Sequence, residues 1–210
     1  MFSGIVQGFT NVTRVMNKSN FKSFSVYMDD GLIRGLQIGA SVSIDGVCMT
    51  VVRIDEDNVY FDAMKETLDK TTLGRLDVGD KVNIERSVKV GDEIGGHYVS
   101  GHVHGKAKIS NINKEFDNNI IISFLIPSEL TKFIFDKGFV SLNGASLTIV
   151  DVDREKNSIR VSLIPETLRN TTFGEKVVGS EINIEIEQQT QSIVETVERY
   201  LSEYKIQQKG

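Results

Sequence analysis

A chain of 210 residues, 40% hydrophobic and 25% charged, has room for one large domain or two small ones and is too apolar for disorder. Its net charge of −5 and pI near 5.3 argue against nucleic acid or a membrane surface as the main partner. No membrane-length apolar run or signal-peptide pattern appears, and the single Cys48 allows no internal disulfide, so a cytoplasmic protein with a reduced thiol is expected.

In chain order, the first block is FSGIVQG (2–8). VSIDGVCMT (42–50) follows, with Val42 and Ile44 alternating with polar positions, as in a half-buried strand. DEDN (55–58) reads as a turn, and ETLDKTTLG (66–74) and VGDKVNIE (78–85) complete the first stretch. Then comes IGGHYVSGHVHG (94–105), which holds all three histidines, His97, His102 and His104, among glycines. PSELTKFIFDKG (127–138) places Leu130, Phe133 and Ile134 at helical spacing and predicts a short helix.

From there the chain repeats itself. VSGHVHG (99–105) matches FSGIVQG, and VSLNGASLT (140–148) matches VSIDGVCMT. ETLRNTTFG (166–174) matches ETLDKTTLG, and VGSEINIE (178–185) matches VGDKVNIE. Four blocks in one order make two homologous domains, 1–97 and 98–188. Short strands, frequent turns and two prolines predict an all-β fold, each domain a small closed antiparallel barrel. Residues 189–210 have no counterpart. There Ile193, Val197, Tyr200, Leu201 and Tyr204 form one apolar stripe, which predicts an amphipathic C-terminal α-helix suited to self-association.

The histidine stretch permits two readings. His102 and His104 share a strand face and could share an ion, but no second ligand cluster supports a metal, and no metal is expected. The glycines instead point to close approach of a ligand or of another backbone. Cys48 is either a small buried hydrophobe or a thiol at the barrel mouth for addition or proton transfer. The repeat pairs Cys48 with Ser146 and Thr50 with Thr148, as two versions of one ligand site would. Lys137 reads equally as a solvated helix end or as the holder of an anionic ligand.

Taken together, MFSGIVQG, DGVCMTV, MKETLDKTTLG, GGHYVSGHVHG, KGFVSLNGASLT and IPETLRNTTFG resemble the riboflavin synthase family over the whole chain. The resemblance implies two Greek-key barrels, a homotrimer built through the C-terminal helices, and active sites between the N-terminal barrel of one subunit and the C-terminal barrel of its neighbour. It also implies a cofactor-free dismutation. Two molecules of 6,7-dimethyl-8-ribityllumazine exchange a four-carbon unit, giving riboflavin and 5-amino-6-(ribitylamino)uracil. Carried over, the first pocket takes Gly4, Ile5, Val6, Cys48, Met49, Thr50, Asp62, Ala63, Met64, Lys65, Glu66 and Thr67, joined by Gly101, His102 and Val103. The second takes Lys137 of the neighbouring chain, Ser146, Leu147, Thr148, Ser162, Leu163, Ile164, Pro165, Glu166 and Thr167. Cys48, His102 and Ser41 are the expected catalytic groups.

Three positions depart from the family's habit. Asn143 and Glu187 stand where Asp is common, and the first barrel has Asp45 where relatives often carry Asn. An amide is no base, which puts proton transfer at position 143 in doubt. The alternative reading is a lumazine- or flavin-binding antenna protein without catalysis. Such proteins resemble the family with a degraded second barrel and no trimerising tail, whereas here both are retained.

Overall fold

Alternation decides the strands. Along VCMTVV the side chains of Val47, Met49 and Val51 are buried while Cys48, Thr50 and Val52 turn outward, and the homologous stretch buries Ala145, Leu147 and Ile149. A computed structural model describes residues 1–114 and 119–207, with the backbone alone for 205–207. Twelve strands are seen among them. The first barrel comprises β1 (Gly8–Asn17), β2 (Phe21–Tyr27), β3 (Ser41–Ile44), β4 (Val47–Asp55), β5 (Asn58–Met64) and β6 (Lys81–Arg86). The second comprises β7 (Gly105–Lys114), β8 (Ile120–Leu125), β9 (Phe139–Leu142), β10 (Ala145–Asp153), β11 (Ser158–Leu163) and β12 (Glu181–Ile186). Around the first barrel the order is β1-β2-β5-β4-β3-β6, closed and antiparallel, and the second repeats it with the homologous strands.

Closure depends on bending. Register shifts at Val12/Arg14 and Val51/Arg53 recur at Ile109/Asn111 and Ile149/Asp151, so each barrel is bent at the same two corners. Phe24 and Phe61 fill the first core with ring centres 5.6 Å apart, and Phe124 meets Phe173 edge-on in the second.

Helical pieces are short. α1 (Asp30–Ile33), α2 (Lys65–Lys70) and α3 (Pro165–Asn170) connect strands. The helix expected over 127–138 is a six-residue 3-10 helix, Ser128–Phe133. Leu130 and Phe133 are buried as expected, but Ile134 already has extended backbone, and the turn is too short to develop into an α-helix. In the first barrel, the buried Lys22 ammonium donates to the carbonyls of Leu73, Gly74 and Leu76, tying down the chain after α2.

The barrels meet back to back at the turns before β4 and β10. A side chain on Gly46 would come within 2.6 Å of the Gly144 nitrogen, so the two backbones touch. Around them runs a two-fold set of hydrogen bonds. Asn83 donates its side-chain amide to the Asn143 carbonyl, and Asn183 donates to the Asp45 carbonyl. The N–H groups of Asn83 and Asn183 donate to Asp45 Oδ1 and Asn143 Oδ1. Asp45 and Asn143 both sit in left-handed turns, φ +46° and +44°, which their short polar side chains tolerate. Asn143 is thus a buried member of the seam, and its exchange with Asp45 has a structural meaning. A polar cavity of about 480 Å³ lies on this seam, lined by Asp45, Thr72, Asn143 and Thr172 among others.

The tail forms α4 (Gln188–Gln207). Glu187 accepts the N–H groups of Gln189 and Thr190 at its start. Burial works against ionisation there, but these bonds outweigh it and hold the carboxyl below its ordinary range. Val194 packs on the second core and Lys132 pairs with Glu198, while the predicted stripe stays exposed, Ile193 and Tyr200 at 65% each. No helix among the described residues is long and apolar enough to cross a membrane.

Candidate functional site between the straps

Two short segments cross between the barrels. Residues 2–7 lead into β1, residues 98–104 lead into β7, and Phe2 and Val99 bond to each other as an isolated antiparallel bridge. Each strap is fixed to its own barrel and leans on the other. The Gly4 carbonyl accepts the Ser146 N–H of β10, and the Gly101 carbonyl accepts the Cys48 N–H of β4. A side chain at Gly4 would lie 2.6 Å from Ser146 Cβ, and one at Gly101 2.5 Å from Cys48 Cβ, so glycine is required at both. Val6 belongs to the second hydrophobic core and Val103 to the first.

This corrects the grouping expected from the sequence. Gly4, Ile5 and Val6 lie with Ser146, not with Cys48, because the strap passes over the neighbouring barrel before entering its own. Gly101, His102 and Val103 do lie with Cys48. Together with Val47, Glu66, Thr67, Lys70 and Thr71 they line a cleft of about 290 Å³. The sequence reading missed Val47, Lys70 and Thr71, of which the last two lie within the block ETLDKTTLG (66–74). His102 is exposed at the rim, its N–H bonded to the Ser100 hydroxyl.

Several expected binding residues face inward. Met49 and Ala63 join the first core, and Leu147 and Leu163 the second, so only their backbone is open to a ligand. Thr50, Asp62, Met64, Lys65, Thr148, Ser162, Ile164 and Glu166 are exposed, and Pro165 and Thr167 half-buried, on the outer faces or at the helices that follow. Ser41 pairs with Thr50 in the β3–β4 ladder and lies outside the residues lining the cleft. Lys137 is exposed in a left-handed turn, φ +63°.

The second strand carries a polar pair. His97 Nδ1 and Ser146 Oγ are 2.6 Å apart, and the imidazole, 8% exposed, stacks on Phe139 with centres 5.4 Å apart. Burial pulls the His97 pKa below its ordinary value against the pull of Glu187, so the ring is neutral at pH 7. It therefore shares one proton with Ser146 and could pass it to a bound molecule. His97 entered the sequence reading only as a member of the histidine stretch. The sign that could have found it is Gly96, where a side chain would strike both Ser146 and the Ser3 carbonyl. His104 points elsewhere, accepting the Ile186 N–H and bonding Gln191.

The family model described as the lumazine binding domain matches twice, over residues 3–87 and 100–187. The chain is 46% identical to riboflavin synthase of Escherichia coli (strain K12) over 202 residues, 96% of this chain and 94% of that one. It is 42% identical to riboflavin synthase of Chlamydia pneumoniae, covering 96% and 98%. Among solved structures, LumP complexed with riboflavin superposes with a TM-score of 0.82 at 28% identity, covering 89% of this chain and 99% of that one. LumP complexed with 6,7-dimethyl-8-(1'-D-ribityl) lumazine gives 0.79 at 27%, with the same coverage.

Proposed function

The chain belongs to the riboflavin synthase family, and from that premise we propose that it converts two molecules of 6,7-dimethyl-8-ribityllumazine into riboflavin and 5-amino-6-(ribitylamino)uracil. The observation that carries the reading is the duplicated site: two equivalent outward strands, at Cys48 and Ser146, each covered by a glycine strap. A reaction between two identical molecules needs two similar pockets. The larger share of the rate comes from holding two rings in register, since the substrate's 7-methyl group is itself acidic.

The pockets are alike but not equal, which suits donor and acceptor roles. One offers the Cys48 thiol and the His102 imidazole at an open rim; the other offers the buried His97 bonded to the half-buried Ser146. Cys48 and His102 serve addition and proton transfer at the first ring, with Ser41 one ladder step away behind Thr50. The two pockets of one chain need not face each other. In this reading the reacting pair forms between the first barrel of one subunit and the second barrel, with Lys137, of its neighbour, in a homotrimer joined through the apolar stripe of α4. No cofactor is required.

Incubating the protein with the lumazine alone and following riboflavin by its fluorescence tests this. Steady riboflavin formation supports the enzyme. Tight binding of the lumazine with no riboflavin over hours would instead make the chain a holder of its ligand, as the likeness to LumP allows.

A further inference from the structure

Each strap is gripped by one buried glutamate. Glu85, 2% exposed near the end of β6, accepts the Ser3 N–H at 2.7 Å, the Ser3 hydroxyl at 2.8 Å and the Gly4 N–H at 3.1 Å. Glu185, 3% exposed in β12, accepts the Ser100 N–H at 2.7 Å, the Ser100 hydroxyl at 2.7 Å and the Gly101 N–H at 3.0 Å. Both serines pass the grip one step further. Ser3 Oγ accepts the Ile5 N–H, and Ser100 Oγ accepts the His102 N–H.

The direction of these grips matters. Glu185 belongs to the second barrel, yet the strap it holds presses on Cys48 of the first; Glu85 belongs to the first barrel, yet its strap presses on Ser146 of the second. A buried carboxylate with three charge-assisted donors is a stiff fixture, and removing its charge leaves donors facing an amide. We propose that Glu85 and Glu185 are crossed positioning residues, each setting from its own barrel the strap that shapes the ligand pocket of the other. The proposal rests on reading those strap-covered strands as ligand pockets, and it makes the geometry at Cys48 and His102 a property of the second barrel.

Cys48, the one thiol in the chain, reports on its own strap without any ligand. Its rate of alkylation by iodoacetamide is measured in the full-length protein, in Glu185→Gln and in Glu85→Gln. Glu185→Gln is expected to raise the rate about tenfold, the factor carried by one charge-assisted hydrogen bond, whereas Glu85→Gln leaves it within about twofold because its strap lies over Ser146. Should Glu185→Gln fail to fold, as judged by its thermal melt, Ser100→Ala takes its place, since it removes the hydroxyl that Glu185 grips and the relay to His102 while leaving both backbone donors. Riboflavin protection is then read on the same thiol, and Glu185→Gln is expected to need a higher riboflavin concentration than Glu85→Gln. An unchanged alkylation rate in both Glu185→Gln and Ser100→Ala overturns the proposal, as does an equal rise in Glu85→Gln. If riboflavin fails to protect Cys48 in the unaltered protein, the ligand reading of that pocket falls, while ligand-free alkylation still decides whether the strap is set by Glu185.

Discussion

At the scale of single residues, the two strap-covered strands differ in their side chains, Cys48 beside His102 on one and Ser146 beside His97 on the other. Cys48→Ser and His102→Gln should each lower turnover far more than they weaken binding of riboflavin, because binding is spread over backbone contacts of the strap and strand. Steady-state kinetics beside riboflavin titration would show it, and unchanged turnover in both variants would move the chemistry elsewhere. Asp45 makes a second residue-scale prediction. Burial raises its pKa from 3.8 to about 6, against the Asn83 N–H and Lys176, with Asp80 adding to the rise. A carboxyl with a raised folded pKa stabilises the fold below its unfolded pKa and loses that contribution as pH climbs toward 6. Asp45→Asn should therefore stabilise the protein at pH 7.5 by up to about 3 kcal/mol, and much less at pH 4, as read by denaturant melts. Asn143 shows that an amide fits this turn. Asn143→Asp should do the reverse, adding a second buried carboxylate to the seam and lowering stability at pH 7.5 more than at pH 5, with little effect on turnover. The sequence hinted at this exchange, since positions 45 and 143 aligned, but it could not show that both lie in the seam between the barrels.

At the scale of elements, strands, turns and tail helix were readable because alternation and helical stripes act within a few residues. The straps were not. Gly4 and Ser146 are far apart in sequence, and nothing periodic records which barrel a six-residue segment leans on. Only the glycines marked them, as places where some backbone must come close. Gly101→Ala tests that closeness. At φ +83° and 2.5 Å from Cys48 Cβ the new methyl meets both strain and a clash, and should cost about 3 kcal/mol and weaken binding at the first pocket. Gly39→Ala is the control, since φ is +88° with nothing within 4 Å, so only the strain of about 1 kcal/mol remains. Equal thermal melts for the two variants would mean that the strap yields freely.

At the scale of the whole molecule, the duplication was the most legible feature of all, because four aligned blocks fix both barrels and their equivalence. The assembly is less directly written. α4 leaves Ile193, Val197, Tyr200, Leu201 and Tyr204 exposed on one side, although Val194 and Glu198 anchor its other side to the second barrel. An apolar stripe of that length is expected to be covered by its equivalents. On the proposed homotrimer, deleting residues 189–210 should lower the sedimentation mass to that of a monomer or weak dimer, with activity falling in step. A full trimer after deletion would place the contact on the barrels.

The exchange of straps also imposes an order in time on the growing chain. When synthesis has reached the end of β6, every strand of the first barrel exists, yet Val103, a member of its core, has not been made. The first barrel therefore leaves the ribosome with an open side, while the segment destined for its sister, with Val6, already hangs free at the N-terminus. The second barrel suffers no such delay, because its borrowed piece was made first. Val103 is made long before β12, yet Glu185 of β12 holds its strap, so the cover of the first barrel is fixed only as the second barrel closes, and a chain halted at the midpoint is left without a fixed half.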